Sequence, residues 1–451
     1  MASAADSLAR NLSFANFSKA TELKKRLWFT VGALVVFRLC SFVPLPGIDP
    51  QALSQLFNQT AGGMLDLVNM FSGGALERMS IVALGIMPYI TASIVVQMMG
   101  SIYEPWKALK KEGESGRKKL NQYTRFGTVV LTIFQGWGIA VGLENWGASS
   151  GASAVIDPGY FFRISATITL VGGSMFLMWL GEQITSRGVG NGISLIIMAG
   201  IVAQLPGGIA GMLEQGRTGA ISIGFILFVL TMALGITAFI CLMEAAQRRI
   251  PIQYPKRQVG NRMFQGDSSH LPLKLNTANV IPPIFASSIL LLPLTFAQFM
   301  GQEGGPDWLL SVTTVLQHGS PLYLTLYALA IIFFTFFYTA VVFNPEETAE
   351  NLKRNGGFVP GIRPGEKTAT YFDYVLTRIT TVGAAYLTLV CLAPEYMISQ
   401  MAIPFYLGGT SLVIIVNVTM DTIAQMQGHL LAHQYEGLIK KAKLRTGGRR
   451  A

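Results

Sequence analysis

Charged side chains are scarce in this chain. Only 13% of its 451 residues are Asp, Glu, Lys or Arg, whereas 51% are hydrophobic. A soluble domain carries about a quarter charged residues. This balance excludes an ordinary soluble domain and indicates a polytopic membrane protein, for which chain length does not count domains.

Cysteine is also rare, with Cys40, Cys241 and Cys391 far apart and each within or beside an apolar run. This spacing excludes a disulfide framework or a zinc pattern and favours small apolar packing residues. The chain is polar before Leu27, with no early apolar core. We therefore expect no cleavable signal peptide, and we expect the first membrane segment to direct insertion.

Catalytic motifs are lacking as well. Gly365-Glu366-Lys367-Thr368 resembles the end of a phosphate-binding loop, but Glu366 separates Gly from Lys and no strand is predicted before it. No G-x-S-x-G elbow is present. His429 and His433 have i, i+4 spacing without the Glu of a metalloprotease helix, so a solvated helix face is favoured. We predict no enzymatic activity, no cofactor and no metal.

Long apolar runs are abundant, and about 20 apolar residues suffice to cross a bilayer. Ten such runs predict ten transmembrane helices: Leu27–Val43, Met79–Met99, Phe126–Leu143, Ile164–Gly181, Val189–Leu205, Ile221–Met243, Ala278–Met300, Leu322–Phe343, Ile379–Pro394 and Phe405–Met420.

Positive charge predicts the orientation of these spans. The odd-numbered loops contain only Arg78, Arg163 and Arg217, whereas the termini and the even-numbered loops hold nearly all other Lys and Arg residues. Because Lys and Arg are retained on the cytoplasmic side, both termini are predicted to be cytoplasmic.

The ten spans divide into two halves of five, residues 1–209 and 210–451. An odd number of spans per half predicts an inverted repeat, with the second and seventh spans as counterparts. Gly85 and Pro88 break the second span, and Pro282–Pro283 disrupts the start of the seventh. Such breaks are tolerated only where protein or water satisfies the backbone, so these segments are predicted to line a cavity between the halves.

The cytoplasmic loops 246–274 and 344–374 are longer than a connection needs, and the C-terminal tail is basic. Topology alone could explain a few lysines. The Pro and Gly spacing of GFVPGIRPGE instead predicts a shaped turn that displays Arg363, which favours a docking surface.

Some residues within spans have two readings. Arg38 could extend to the outer face or contact a mobile gate. The amides Gln97, Gln135, Asn279 and Asn417 most often join neighbouring helices. Ile86 and Ile90 lie one turn apart beside Pro88, and they are either ordinary packing or part of a dry constriction that excludes water.

Several long motifs resemble the SecY family, the pore-forming subunits of the bacterial Sec protein translocon, over nearly the whole chain. They are PLPGID at 44–49, FSGGALERMSIVALGIMPYITASI at 71–94, KKEGESGRKKLNQYTR at 110–125, MWLGEQITSRGVGNGIS at 178–194, HLPLKLNTANVIPPIFASS at 270–288, FNPEETAENLKRNGGFVPGIRPGEKT at 343–368 and FYLGGTSLVIIV at 405–416. Pro283 and Asn417 depart from the family pattern.

The resemblance implies an all-α fold, with ten transmembrane helices in two inverted halves around an hourglass pore. It implies a plug at about residues 62–75 and a lateral gate between the second and seventh spans. By position, it implies a pore constriction of Ile86, Ile90, Ile197, Ile284 and Ile414, a plug containing Met64, Leu65, Leu67, Val68, Met70 and Phe71, and a gate seam of Thr91, Gln135 and Asn276.

The resemblance also implies passage of unfolded polypeptides across the bacterial cytoplasmic membrane, with apolar segments released sideways into the lipid bilayer. By position, the resemblance assigns the docking of the SecA motor or the ribosome to Lys256, Arg257, Arg262 and Arg363. SecE, SecG and nascent secretory or membrane proteins are the other implied partners. A secondary transporter is the main alternative, but it needs converging intramembrane carboxylates that are sparse here.

Overall fold

The computed structural model describes most of the chain. The described residues are 21–49, 52–53, 69, 72–150, 154–219, 221–255, 257–259, 262–264, 268–300, 320–401 and 408–447. The predicted first, second, seventh and tenth spans fall within or mostly within these ranges, whereas most of the plug range lies outside them.

Helices make up most of the described residues, and four short strands lie in one loop. The helices are α1 Thr21–Cys40, α2 Met87–Ile102, α3 Glu104–Lys111, α4 Glu114–Ser150, α5 Tyr160–Arg187, α6 Gly192–Arg217, α7 Ile223–Ala245, α8 Ile281–Met300, α9 Pro321–Val342, α10 Pro345–Arg354, α11 Glu366–Met401 and α12 Gly409–Gly447. The strands are β1 Gln247–Gln253, β2 Arg257–Val259, β3 Arg262–Phe264 and β4 Ser268–Lys274.

Seven helices in the described part of the chain are long and apolar enough to cross a membrane. They lie in α4, α5, α6, α7, α9, α11 and α12, at seven of the ten predicted spans. The second and seventh predicted spans contain the shorter apolar segments Met87–Ile102 and Ile281–Leu290. The first span coincides with α1, which also carries Lys24, Lys25, Arg26 and Arg38.

The predicted break in the second span is confirmed. Residues 72–86 form turns rather than a regular helix, and Gly85 has a φ of +57°. Only glycine adopts this left-handed backbone without strain. Helix α2 begins at Met87, so Pro88 falls in its first turn, where a missing N–H costs no helical hydrogen bond.

The predicted disruption at the start of the seventh span is confirmed, because residues 278–280 of that span are not helical. Helix α8 begins at Ile281, so both prolines lie in its first turn. The first turn of a helix has no internal partner for its N–H groups and therefore accepts proline. The irregular backbone lies before the helix, where Asn279 has a φ of +58°.

The chain divides into two compact units. Unit 1 comprises Met1–Ala92, Thr124–Pro206 and Val418–Ala451, and unit 2 comprises Ser93–Tyr123 and Gly207–Asn417.

Unit 1 is held by close helix contacts and a non-helical segment before α2. Val189 N–H donates to Thr30 Oγ1 on α1 at 3.1 Å. A Cβ at Gly173 on α5 would collide with the carbonyl of Ile81, so this helix packs directly against the non-helical backbone. Leu170, Leu177 and Ile184 of α5 are fully buried between these elements.

Unit 2 contains the two long loops, and they form one structure. Strands β1 and β4 pair antiparallel from Gln247↔Lys274 to Gln253↔Ser268. Gln253 and Phe358 exchange backbone hydrogen bonds of 2.9 and 3.0 Å, which join the loop 246–274 to the loop 344–374. Buried side chains from both loops and α11 form their shared core: Ile250, Leu273, Ala349, Val359, Ala369, Phe372, Val375 and Ile379.

Candidate functional site

The aliphatic residues expected at the constriction are all buried. In unit 1, Ile86 immediately precedes α2 and Ile90 lies in its first turn, where Ile90 N–H donates to Ile86 O at 3.1 Å. Ile197 lies on α6. In unit 2, Ile284 is on α8 and Ile414 is on α12. None of the five points outward, since their exposed fractions run from 0 to 8%. The structure brings Ile86 and Ile90 together, one turn apart.

The end of the predicted plug is anchored by polar contacts within unit 1. Arg38 Nη1 donates to Gly73 O at 2.6 Å, and Gln204 Nε2 donates to Asn69 O at 3.1 Å. Asn69 also accepts from Glu77 N–H at 3.0 Å. Met64, Leu65, Leu67, Val68, Met70 and Phe71, predicted as the plug body, lie outside the described residues.

Arg38 also packs beside an aromatic ring, in addition to its contact with Gly73 at the end of the predicted plug range. Its guanidinium lies 4.9 Å from the Phe42 ring centroid, and that of Arg78 lies 4.2 Å from the same ring. The two cations are thus held near one aromatic face, which attracts positive charge. Gly73, with φ +72°, approaches Gly200 of α6 so closely that a side chain would not fit.

The three residues predicted at the gate seam have different surroundings. Thr91 is buried and donates to Met87 O of its own helix at 3.1 Å. Gln135 Oε1 is buried, and no hydrogen-bond partner for it occurs among the described residues. Asn276 is buried in unit 2 and donates through Nδ2 to Glu244 Oε1 at 2.6 Å.

The other amides only partly follow the expectation for helix packing. Asn417 Nδ2 donates to Glu244 Oε1 at 3.1 Å and so joins α12 to α7, which confirms the packing interpretation for this residue. Gln97 Nε2 instead bonds Ser93 Oγ within α2, at 3.0 Å on an exposed face. The interpretation of Gln97 as a link between helices is therefore wrong, because its partner lies one turn away on the same helix.

Glu244 is the residue that sequence reasoning missed. It lies one position beyond the predicted sixth span and before the predicted loop 246–274, yet it is 8% exposed within α7. Carboxyl groups are buried only with hydrogen-bond partners. A lone carboxyl at the end of an apolar run was the available signal.

The residues predicted to dock a partner lie on the two long loops of unit 2, residues 246–274 and 344–374. Arg363 is exposed in a turn where Thr368 Oγ1 donates to Arg363 O at 3.0 Å, and Gly361 and Gly365 have φ values of +82° and +106°. Arg257 and Arg262 lie on the paired strands β2 and β3, whereas Lys256 is outside the described residues. The predicted shaped turn is thus present around Arg363.

Among the described residues, no group of three or more His, Cys, Asp or Glu side chains is placed to hold a metal ion. Within the same part of the chain, Cys40, Cys241 and Cys391 are free thiols, and Cys391 is fully buried.

A profile of the SecY family matches residues 80–423. The chain belongs to the SecY family. The protein translocase subunit SecY of Escherichia coli (strain K12) is 56% identical over 428 residues, which cover 95% of this chain and 96% of that protein. The translocase subunit SecY of Vibrio cholerae is 56% identical over 435 residues, covering 96% and 97%.

Solved structures confirm the ten-helix channel fold expected for a SecY-family chain. One described as "The structure of a protein conducting channel" has a TM-score of 0.65 at 16% identity and covers 90% of this chain and 92% of its own. A second, "Sec61 in the Canine ribosome-channel complex from the endoplasmic reticulum", has a TM-score of 0.62 at 15% identity, with coverage of 90% and 92%. A multi-pass membrane protein follows from the family and the apolar helices.

The contact between Arg38 and Gly73 generates a test of the plug anchor. The parent for this test has its native cysteines replaced by serine and a single cysteine at Ala75. When Arg38→Met is added to this parent, we expect the cysteine to react with a thiol reagent about tenfold faster than in the parent. A hydrogen bond from a charged donor contributes about 1.5–3 kcal/mol, so its loss should open this segment more often.

The matched control for this prediction is Arg26→Met on the same helix, because Arg26 pairs locally with Glu22 at 3.5 Å and does not contact the plug segment in the contacts described. The labelling rate of the control should equal that of the parent. Equal rates in Arg38→Met and the parent would remove the anchor role.

Proposed function

We propose that this chain is the channel subunit of a protein translocase, which passes unfolded secretory polypeptides across the cytoplasmic membrane and releases apolar segments sideways into lipid. The observation that carries this proposal is 56% identity to a translocase subunit across 95% of the chain. The chain acts as a passage and not as an enzyme, in keeping with the names of its relatives.

The constriction is assigned to Ile86, Ile90, Ile197, Ile284 and Ile414. Aliphatic side chains make no directional bonds, so a set of them tolerates any passing side chain. They also make a narrow aperture dry, which opposes the entry of hydrated ions. Their burial supports this assignment, since an apolar residue that faced lipid could not seal a pore.

The plug is assigned to residues 62–75, including Met64, Leu65, Leu67, Val68, Met70 and Phe71. A movable plug needs a fixed end about which to turn. The contacts of Arg38 with Gly73 and of Gln204 with Asn69 supply a fixed end on α1 and α6.

The lateral gate is assigned to the second and seventh spans, with Thr91, Gln135 and Asn276 along its seam. Polar groups at a seam cost little when paired and can exchange partners as the seam opens. Through such an opening, segments sort by transfer free energy, about −0.5 kcal/mol for a central leucine against about +3 for a charged residue.

We propose that partner proteins supply the energy that moves a polypeptide through the channel. The docking surface consists of Lys256, Arg257, Arg262 and Arg363 on loops 246–274 and 344–374, and the partners are the SecA motor and the ribosome. A ribosome-bound channel among the structural neighbours supports the ribosome as a partner. SecE and SecG are proposed as companion membrane subunits.

The proposed location is the bacterial inner membrane with both termini in the cytoplasm. The distribution of Lys and Arg between the odd and even loops supports this orientation. The proposed halves are residues 1–209 and 210–451, with the basic C-terminal tail on the cytoplasmic side.

The first test of the channel removes two of the side chains proposed to seal it. In the double variant Ile86→Gly and Ile90→Gly, we expect resting membrane vesicles to leak ions, because glycine removes the side chains that close the aperture. The measurement is ion flux across vesicles at equal amounts of inserted protein. The variant Val95→Gly, at an exposed position of the same helix α2, is the matched control and should stay sealed.

A tight membrane in the double variant would contradict the seal. A secondary transporter would behave differently, since it would lose solute uptake without opening a leak.

The second test concerns docking at Arg363. We expect Arg363→Glu to lower SecA-driven export of a precursor by about tenfold, because reversing an exposed charge turns attraction to an acidic partner surface into repulsion. Insertion of the channel itself into membranes should be unchanged. Export is measured in vesicles with purified motor.

The control for docking is Arg354→Glu, because Arg354 is an exposed residue of the neighbouring helix α10 that pairs with Glu350 at 2.7 Å. It should export as the parent does. Normal export by Arg363→Glu would remove Arg363 from the docking surface.

A further inference from the structure

Glu244 joins four segments of unit 2 through one carboxyl oxygen. Its Oε1 accepts hydrogen bonds from Asn276 Nδ2 at 2.6 Å, Asn417 Nδ2 at 3.1 Å and the Tyr386 hydroxyl at 3.4 Å. The donors come from the segment before α8, from α12 and from α11, whereas Glu244 is on α7. A buried carboxyl with several donors is costly to disturb, because breaking any bond strands a polar group away from water.

This carboxyl also lies at the base of the β-hairpin in loop 246–274. The ladder of β1 and β4 ends at the pair Gln247↔Lys274. Beyond this pair, Leu275 N–H donates to Ala246 O at 3.0 Å. The side chain of the next residue, Asn276, donates to Glu244. Backbone and side-chain hydrogen bonds therefore run without a gap from the hairpin to Asn276.

The carboxyl determines how the amide of Asn276 is turned. Asn276 Nδ2 donates both to Glu244 and to Asn279 O, the latter at 3.0 Å. Carboxylate and carbonyl oxygens accept hydrogen bonds, so both favour the NH2 group of the amide on their side. Asn276 Oδ1 consequently faces away from them, buried and without a hydrogen-bond partner among the described residues, and can accept a bond from another donor.

The same contacts hold the start of α8. Asn279 has a left-handed backbone, with φ +58°, and α8 begins two residues later at Ile281. The bond from Asn276 to Asn279 O stabilises this turn, and the bond from Asn276 to Glu244 fixes the turn to α7. A movement of the hairpin base can thus be transmitted to the first turn of α8 through only a short stretch of chain.

We propose that Glu244 is a positioning residue that ties the base of the docking hairpin to the gate helix α8 through Asn276. The functional names of the hairpin and of α8 rest on the proposed function, whereas the tie itself rests on contacts within unit 2. A partner that pulls on the hairpin then shifts the balance between a bonded and a released Asn276, and the start of α8 follows.

The test is amide hydrogen exchange in the purified full chain reconstituted in lipid nanodiscs. Glu244→Gln keeps the size of the side chain but replaces one carboxyl oxygen with an NH2 group, which opposes the amide donors. We expect exchange to rise about tenfold on both sides of the tie, at the Leu275 amide and at residues 277–281. The control Glu395→Gln, a buried carboxyl on α11 in the same unit, should leave both regions as in the parent.

Two further variants keep the test decisive if Glu244→Gln does not fold. Asn276→Ala removes the same bond from the other side and should also loosen both regions. Tyr386→Phe removes only the longest of the three bonds and should have a smaller effect. Combining Asn276→Ala with Glu244→Gln should raise exchange by less than the product of the two single effects, because both variants break the bond between Asn276 and Glu244.

Unchanged exchange in the folded Glu244 or Asn276 variants would overturn the proposal, as would a rise confined to one side of the tie. Hydrogen exchange does not require conduction. A sealed membrane in the Ile86 and Ile90 double variant would therefore refute the channel without touching this tie, and unchanged exchange would refute the tie without touching the channel.

Discussion

A backbone N–H or C=O group inside a bilayer has no water to bond, so every irregular turn at that depth must find a partner in the protein. Residues 79–86 belong to the predicted second span and lead into α2 without forming a regular helix. The segment 43–45 supplies partners from outside: Leu45 N–H donates to Met79 O at 2.8 Å, and Ile81 N–H donates to Val43 O at 3.0 Å. The position of Ile86 and Ile90 depends on this arrangement.

Internal turns complete the same segment. Gly85 N–H donates to Val82 O at 2.8 Å, and Ser80 N–H donates to Ala75 O at 2.9 Å. Because these bonds are local, the segment keeps its shape without a long helix. The proposed seal residues Ile86 and Ile90 and the proposed anchor at Gly73 thus lie at the two ends of one stretch of non-helical backbone.

Unit 2 uses buried polar chemistry for a different purpose. Three donors meet the carboxyl of Glu244, and the two long loops share a core with Phe372 at its centre. Breaking such buried hydrogen bonds leaves polar groups without partners, so the network favours discrete bonded and released states. In the proposed role, this hydrogen-bonded link transmits partner binding at the two long loops to helix α8.

Local chemistry could be predicted from the sequence. Gly85 and Pro88 mark the break before α2 because their backbone limits act within one turn, and the apolar runs mark seven long spans because bilayer thickness sets their length. Pro282 and Pro283 likewise mark the late start of the helix in the seventh span, since proline is accepted in the first turn of a helix but not in its interior.

Long-range pairing could not be predicted. The partners of Glu244 lie 32, 142 and 173 positions away along the chain, and the strand bridge from Gln253 to Phe358 joins two separate loops. No periodicity encodes such contacts, because they depend on how the helices pack. The five isoleucines could be assigned only by resemblance, since an isoleucine in a membrane span is ordinary packing in most proteins.

The most direct measurement places a photo-crosslinking side chain at Ile86, Ile90, Ile197, Ile284 or Ile414, one at a time, while a polypeptide is stalled partway through the channel. The account predicts that all five positions form adducts with the same short stretch of the stalled chain, whereas the exposed Ile168 of α5 forms none. Adducts from Ile168 together with none from the five buried positions would contradict a passage lined by these residues.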